Sequence, residues 1–207
     1  MHHPLAARIF AREVGRIDAL GAAAHRKRLL EGVAGRVLEI GAGTGISFND
    51  YPSTVLELIA LEPESYLRER ATQAAALASG PVTVVDATAE QIPFPDASFD
   101  VAITARVLCS VRDPDAALAE LHRVLRPDGE LRFYEHVAST NPMLARSQRA
   151  LDLAWPTLAG GCHSSRETLR TITRAGFAIE QCERFRFRPN ILAAPTSPYV
   201  LGRARRA

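Results

Sequence analysis

At 207 residues and 22.5 kDa the chain is long enough for one domain with a full core, and 47% hydrophobic with 23% charged residues is ordinary globular composition. A net charge of +2, with Lys27 as the only lysine, supplies no basic stripe of the kind a nucleic acid requires. No apolar run approaches the roughly 20 residues of a membrane span, and Met1-His2-His3-Pro4 lacks the apolar core of a signal peptide. Cys109, Cys162 and Cys182 share no metal-type spacing, so the expectation is a cytoplasmic protein with reduced thiols, no metal and no membrane span. Oligomeric state is left open.

From Leu5 to Gly32, apolar residues at Ile9, Phe10, Val14, Ile17, Leu20, Leu29 and Leu30 recur with helical spacing. They predict two helices, one ending near Gly15 and the next reaching Glu31, with apolar faces suited to packing on a sheet. Residues 1–35 thus form a helical segment ahead of a domain spanning residues 36–207.

Val37, Leu38 and Ile40 read as a short buried strand that opens into Gly41, Gly43 and Gly45. Such a loop can take positive φ and let a ligand approach with no Cβ in the way. A dinucleotide fold wants Gly-x-Gly-x-x-Gly around a pyrophosphate; here the third glycine comes one residue early, and Ile46 stands in its place. Glu39 just before the loop would repel a diphosphate and suit a cation.

A brief helix from Ile46 to Tyr51 stops at Pro52, and a second strand, Val55 to Leu61, ends in Glu62-Pro63-Glu64. Glu62 follows Gly41 by 21 positions, the separation at which a carboxylate reaches the ribose hydroxyls of an adenosine lying over the loop. Glu64 suits the first turn of the helix predicted from Ser65 to Ser79. Val82 to Val85 is a third buried run, followed by Asp86-Ala87. The fourth strand, Phe99 to Thr104, ends at Thr104-Ala105-Arg106, which should border the reacting centre because ligands lie at the carboxyl ends of parallel strands.

Asp113 caps a helix from Ala116 to Leu125, and Pro127-Asp128-Gly129 turns the chain into a fifth strand, Leu131 to Tyr134. Its end, Glu135-His136, is where a catalytic base is expected, and histidine titrates in the useful range. A helix with Leu144, Leu151, Leu153 and Trp155 follows, then Gly160-Gly161-Cys162-His163, with Ser165 read as the N-cap of another helix. Ile179 to Phe185 and Tyr199 to Arg205 are strands six and seven, separated by a loop with Pro189, Pro195 and Pro198. Joined without a helix, they must run antiparallel.

Glu39-Ile40-Gly41-Ala42-Gly43-Thr44-Gly45 resembles motif I of the class I S-adenosylmethionine-dependent methyltransferases. Residues 86–100, of the form D-A-x-x-x-x-I-P-F-P-x-x-S-F-D, resemble the same family, as does Leu121 to Leu131, where Asp128 departs from the family's Pro-Gly-Gly turn. Leu108-Cys109-Ser110, Gly160 to His163 and Ser197 to Gly202 are similar to a narrower, thiol methyltransferase-like branch, some of whose animal members carry a membrane anchor not seen here.

The resemblance, over roughly residues 36 to 205, implies an α/β fold: a three-layer Rossmann-like sandwich with a seven-stranded, mostly parallel sheet whose last strand is antiparallel. It implies S-adenosyl-L-methionine as cofactor and S-adenosyl-L-homocysteine as product. The cofactor residues are then Glu39, Gly41, Ala42, Gly43, Gly45, Glu62, Pro63, Asp86, Ala87 and Thr104, with Asp86 accepting from the adenine amine and the Ala87 N–H donating to the ring. His136, His163 and Arg106 are the candidates for favouring a thiolate acceptor, Arg106 also suiting the methionine carboxylate, an anionic substrate or a plain ion pair. Phe10 and Cys162 are candidates for facing the substrate, with residues 1–35 as a lid. The expected partner is a small, largely apolar methyl acceptor, a thiol first and a quinone-like or phenolic metabolite second; a cofactor-binding protein without catalysis is the non-enzymatic alternative.

Overall fold

The computed structural model describes residues 4–189 and 196–207. In chain order the elements are α1 (Pro4–Ile17), a wide helical turn (Asp18–Ala22), α2 (Ala23–Leu30), β1 (Gly35–Ile40), a short helical turn (Phe48–Asp50), β2 (Val55–Leu61), α3 (Ser65–Ala75), β3 (Val82–Val85), β4 (Phe99–Ala105), α4 (Pro114–Val124), β5 (Leu125–His136), α5 (Pro142–Leu151), α6 (Trp155–Leu158), α7 (Thr168–Arg174), β6 (Phe177–Arg186) and β7 (Pro198–Arg206).

The seven strands form one sheet in the order β3-β2-β1-β4-β5-β7-β6. Pairing is parallel from β3 to β5, and β7 runs antiparallel to both of its neighbours. The fold is therefore the α/β sandwich expected, with the final strand as the one reversed member. Because β1 pairs with both β2 and β4, the chain winds away from β1 in opposite directions, which leaves a crevice at the carboxyl ends of these two strands. The glycine loop after β1 and the segment after β4 flank that crevice.

The period-two alternation of strands assigns side chains to two layers. Leu38, Ile40, Ile59, Leu61 and Phe133 pack with Leu118 and Leu121 of α4 and Ile172 of α7. Val37, Leu58, Ile103 and Tyr134 face the other way, onto Ala22 and onto Leu29 and Leu30 of α2. Glu39, two residues after Val37, shares this second face and is carried under the N-terminal helices.

Several boundaries differ from the sequence reading. The first helix runs through Gly15 and breaks at Gly21, whose φ of +123° is non-helical; Gly15 meets no neighbouring atom and is tolerated in a helix at a cost of about 1 kcal/mol. The helix expected from Ile46 shrinks to Phe48–Asp50, and the one from Ser65 ends at Ala75 instead of Ser79. Glu64 is its N-cap and accepts from the Leu67 N–H at 2.9 Å. The Pro127-Asp128-Gly129 turn lies inside β5 as a large bulge: β4 advances from Phe99 to Val101 while β5 advances from Leu125 to Glu130, with Asp128 at φ +61°. Ser165 is not a helix cap; its hydroxyl donates to Asp152, and Glu167 precedes α7. Pro195 and Met1 to His3 lie outside the described residues. Among the described residues no helix is long and apolar enough to cross a membrane.

Candidate active site

A cleft that opens to solvent, with about 490 Å3 of empty space counted out into the solvent, sits on the crevice between β1 and β4. Its floor is Glu39 and the loop residues Gly41 and Ala42, its far wall Ala105, Arg106 and Tyr134, and its roof Phe10, Val14 and Asp18 from the N-terminal segment. Of the sequence-derived candidates, Glu39, Gly41, Ala42, Phe10 and Arg106 thus meet in one place.

The glycines are explained by what surrounds them. Gly41 takes φ +63° and a Cβ there would lie 2.6 Å from Val107; at Gly43, φ +60°, a Cβ would lie 3.0 Å from the Phe10 ring. Side chains at these positions would be both strained and obstructed. Glu62 locks the loop from the side: one oxygen accepts from the Gly43 N–H at 2.8 Å and the other from the Glu64 N–H at 3.0 Å. Burial raises its pKa. Each carboxylate oxygen retains a further lone pair for a ligand hydroxyl.

Glu39 is 5% exposed, and the Ser47 hydroxyl lies 2.8 Å from both of its oxygens. Burial pushes its pKa up to about 7, against the pull of Ser47 and of Arg26. Arg26 is spoken for: it donates to Asp18 and to Asp50, both at 2.7 Å. Among the charges that line the cleft this leaves a carboxylate, Glu39, and a guanidinium, Arg106. Together they complement a ligand that carries both a cation and a carboxylate, as the methionine end of S-adenosylmethionine does. Arg106 holds the left-handed conformation, φ +62°, and its N–H donates to the Tyr134 carbonyl at 2.7 Å. Its guanidinium lies over the Phe10 ring, 5.7 Å from the centroid. A non-glycine residue in that region costs about 1–3 kcal/mol, a strain that collects at functional sites.

The remaining candidates lie outside this lining. Thr104 is fully buried at the end of β4. Arg68 ties the end of β2 to the end of β3, donating to the Glu62 and Pro63 carbonyls and pairing with Asp86 at 2.9 Å; Asp86 stays two-thirds exposed and Ala87 half-buried. His136 contacts the Tyr199 hydroxyl through Nε2, and its Nδ1 lies 3.5 Å from Cys162 Sγ. The His163 ring meets the Gly161 carbonyl at 2.8 Å, and its backbone N–H donates to the Cys109 carbonyl at 2.7 Å. Glu135 is wholly buried and accepts from the Val107, Leu108 and Cys109 N–H groups, so it clamps the loop after β4.

Sequence reasoning passed over Asp18, Arg26 and Tyr134. Tyr134 could have been found, since it alternates with Phe133 at a strand end next to the reacting centre. Asp18 and Arg26 carry no such signal, because their positions depend on the break at Gly21.

Residues 38–133 match the Methyltransferase domain family. The human thiol S-methyltransferase TMT1B is 34% identical over 181 residues, which span 84% of this chain and 73% of that protein. The UbiE ubiquinone/menaquinone biosynthesis C-methyltransferase of Hahella chejuensis is 46% identical over 66 residues, 32% of this chain and 26% of that one. Among solved structures, an S-adenosylmethionine-dependent methyltransferase of Thermotoga maritima, a possible histamine N-methyltransferase, superposes with a TM-score of 0.67 at 23% identity, covering 97% of this chain and 99% of that one. With the glycine loop, the switch-point cleft and these similarities together, the chain belongs to the S-adenosylmethionine-dependent methyltransferases.

Proposed function

We propose that the protein methylates the sulfur of a small, largely apolar thiol, as a cytoplasmic enzyme whose residues 1–35 roof a single catalytic domain, residues 36–207. The observation that carries this reading is the extent of the thiol S-methyltransferase match, 181 residues against 66 for the quinone-pathway enzyme. The longer match takes in 84% of this chain and so extends beyond the segment, residues 38–133, that the methyltransferases at large share. Three free thiols favour a reducing compartment.

When bound, S-adenosylmethionine supplies a methyl group on a positively charged sulfur. In this reading Glu39 faces the cationic end, Arg106 holds the carboxylate, Glu62 accepts from ribose hydroxyls, and Asp86 with Ala87 reads the adenine edge. Phe10, Val14 and Tyr134 provide apolar walls that keep water from the reacting atoms. The chemistry the cofactor would supply is in-line methyl transfer with a neutral thioether as leaving group, and Glu39, Arg106 and Glu62 would orient it toward the acceptor sulfur. Positioning carries most of the rate, at a ceiling of about 7–11 kcal/mol. Among the described residues neither His136 nor His163 lines the cleft, so proton removal rests on the thiol itself; at a pKa of about 8.5 a few per cent is already ionised at pH 7.

The test is transfer of isotope-labelled methyl from S-adenosylmethionine to a panel of alkyl thiols, phenols and quinols. Label in the thiols is the expected result. Label in phenols or quinols alone would favour the C- or O-methylation reading. Binding of S-adenosylhomocysteine without transfer to any acceptor would leave a cofactor-binding protein. Deleting residues 1–14 should abolish turnover while leaving the fold, and undiminished turnover would remove the roof from this account.

A further inference from the structure

Away from the cleft lining, three side chains that the sequence scatters come together. Cys109 follows β4, His136 ends β5, and Cys162 sits 53 positions after Cys109 in the loop beyond α6. The two Sγ atoms and a ring nitrogen of His136 all lie within 4.8 Å of one another. The two sulfurs are 3.7 Å apart, and Cys162 Sγ is 3.5 Å from His136 Nδ1. Around a tetrahedral zinc with Zn–S of about 2.3 Å and Zn–N of about 2.0–2.1 Å, the edges come to about 3.8 Å for S···S and about 3.5 Å for S···N. The two separations made by Cys162, to Cys109 and to His136, fall on those edges, and the third side of the triangle is no longer than 4.8 Å.

The surroundings also suit a metal. His136 Nε2 contacts the Tyr199 hydroxyl; in the tautomer where Nε2 donates to that hydroxyl, Nδ1 turns its lone pair to the sulfurs, and an outer-shell partner of this kind fixes ring orientation. The loops that carry the sulfurs are stapled to each other. The His163 N–H donates to the Cys109 carbonyl, and Arg166 donates to the Leu108 and Val111 carbonyls. Glu135, next to His136, accepts from the Cys109 N–H at 3.4 Å. Both thiols are buried, at 1% and 8% exposure. Two thiolates and a neutral imidazole would cancel the charge of a divalent ion, the form in which a buried site is least costly.

We propose that Cys109, His136 and Cys162 bind one zinc ion and that this ion pins the loop after β4 and the loop after α6 to the end of β5. Binding releases the two thiol protons to solvent, with no change of oxidation state. The two-sulfur, one-nitrogen set selects zinc over harder divalent ions.

The test uses the full chain, reduced, loaded with zinc and dialysed, with metal measured by mass spectrometry. About one zinc per chain is expected. Cys109→Ser and Cys162→Ser should hold less than a tenth of that, while Cys182→Ser, which changes the exposed thiol, should hold as much as the parent. Tyr199→Phe keeps every ligand and should weaken zinc roughly 10–100-fold. Should the serine variants fail to fold, cobalt added to the parent protein still decides, through the thiolate-to-cobalt charge-transfer absorption and its loss on adding zinc. A parent protein that takes up no zinc with all thiols reduced, that holds copper(I) but not zinc, or that gives a Cys109–Cys162 disulfide in place of metal binding, would overturn the proposal. None of these readouts depends on methyl transfer.

Discussion

The cleft at the switch point and the thiol–imidazole cluster at the β5–β7 side are both built at strand ends, yet they are assembled in opposite ways. The cleft floor comes from one continuous segment, Glu39 to Ser47, whose geometry is carried by backbone conformation and by the absence of side chains. The cluster comes from four segments, with Cys109, His136, Cys162 and Tyr199 each contributing one side chain. A site made by the backbone of one loop is robust to everything but the loop itself. A site made by converging side chains depends on whatever holds the separate loops in register, and here much of that task falls to Glu135.

The largest expected effect follows from that dependence. Glu135→Ala takes the acceptor from three N–H groups, two of them buried and one half-buried, at about 1–3 kcal/mol for each buried one, and should destabilise the protein by about 3–5 kcal/mol in urea unfolding. Glu135→Gln retains an acceptor oxygen and should lose less than half as much. If the two regions are independent, the Gln variant should still bind S-adenosylhomocysteine with the parent's affinity. A matching loss of affinity would show that the loop after β4 couples them.

The next effect tests the cleft through pH. Glu39 is held at a pKa of about 7 against an ordinary 4.5. Between those values the folded protein keeps a proton that the unfolded chain has released, so stability falls as pH rises through the window and the full cost is present above it. The cost is at most ~3 kcal/mol. Glu39→Gln should remove this slope, leaving the ligand-free variant more stable than the parent at pH 8 and about equal at pH 4. It should also bind S-adenosylmethionine more weakly. An unchanged slope between pH 4 and pH 8 in denaturant titrations would mean that Glu39 is not the group responsible.

What could be read from the chain follows the same division. The β1 loop, the acid at the end of β2 and the alternation of the parallel strands are local patterns, and each was visible because the deciding contacts lie within a few residues. The Cys109, His136 and Cys162 convergence was invisible, since metal-type spacing is a local signature and this cluster has none. The helix break falls at Gly21, whose φ of +123° side chains rarely adopt, while Gly15 stays inside α1, and glycine spacing alone does not tell the two positions apart. Ser165 has the chemistry of a helix cap, but Asp152, brought in by the end of α5, takes both its hydroxyl and its N–H.

A smaller effect separates the two ends of the proposed cofactor site. Arg106→Asn, chosen because asparagine tolerates positive φ, removes a charged partner that would contribute about 1.5–3 kcal/mol. Binding of S-adenosylhomocysteine should weaken by roughly 10–100-fold, while 5′-methylthioadenosine, which has no carboxylate, should bind as before. Equal losses for both ligands would assign Arg106 to loop structure.

The smallest effect bears on whether the roof belongs to the cleft at all. Phe10 touches both ends of the proposed cofactor site, lying against Gly43 on one side and under the Arg106 guanidinium on the other. A cation–aromatic contact at a partly exposed site is worth about 0.5–1 kcal/mol, so Phe10→Ala should raise the KM for S-adenosylmethionine by about two- to fivefold. Phe10→Leu would keep the apolar cover but lose the ring face, and it separates the two contributions. Recovery in the Leu variant would mean that excluding water from the glycine loop is what matters, whereas equal weakening in both would point to orientation of Arg106. If neither variant changes KM, α1 contributes packing and no more, and the cleft is a property of the strands and loop alone.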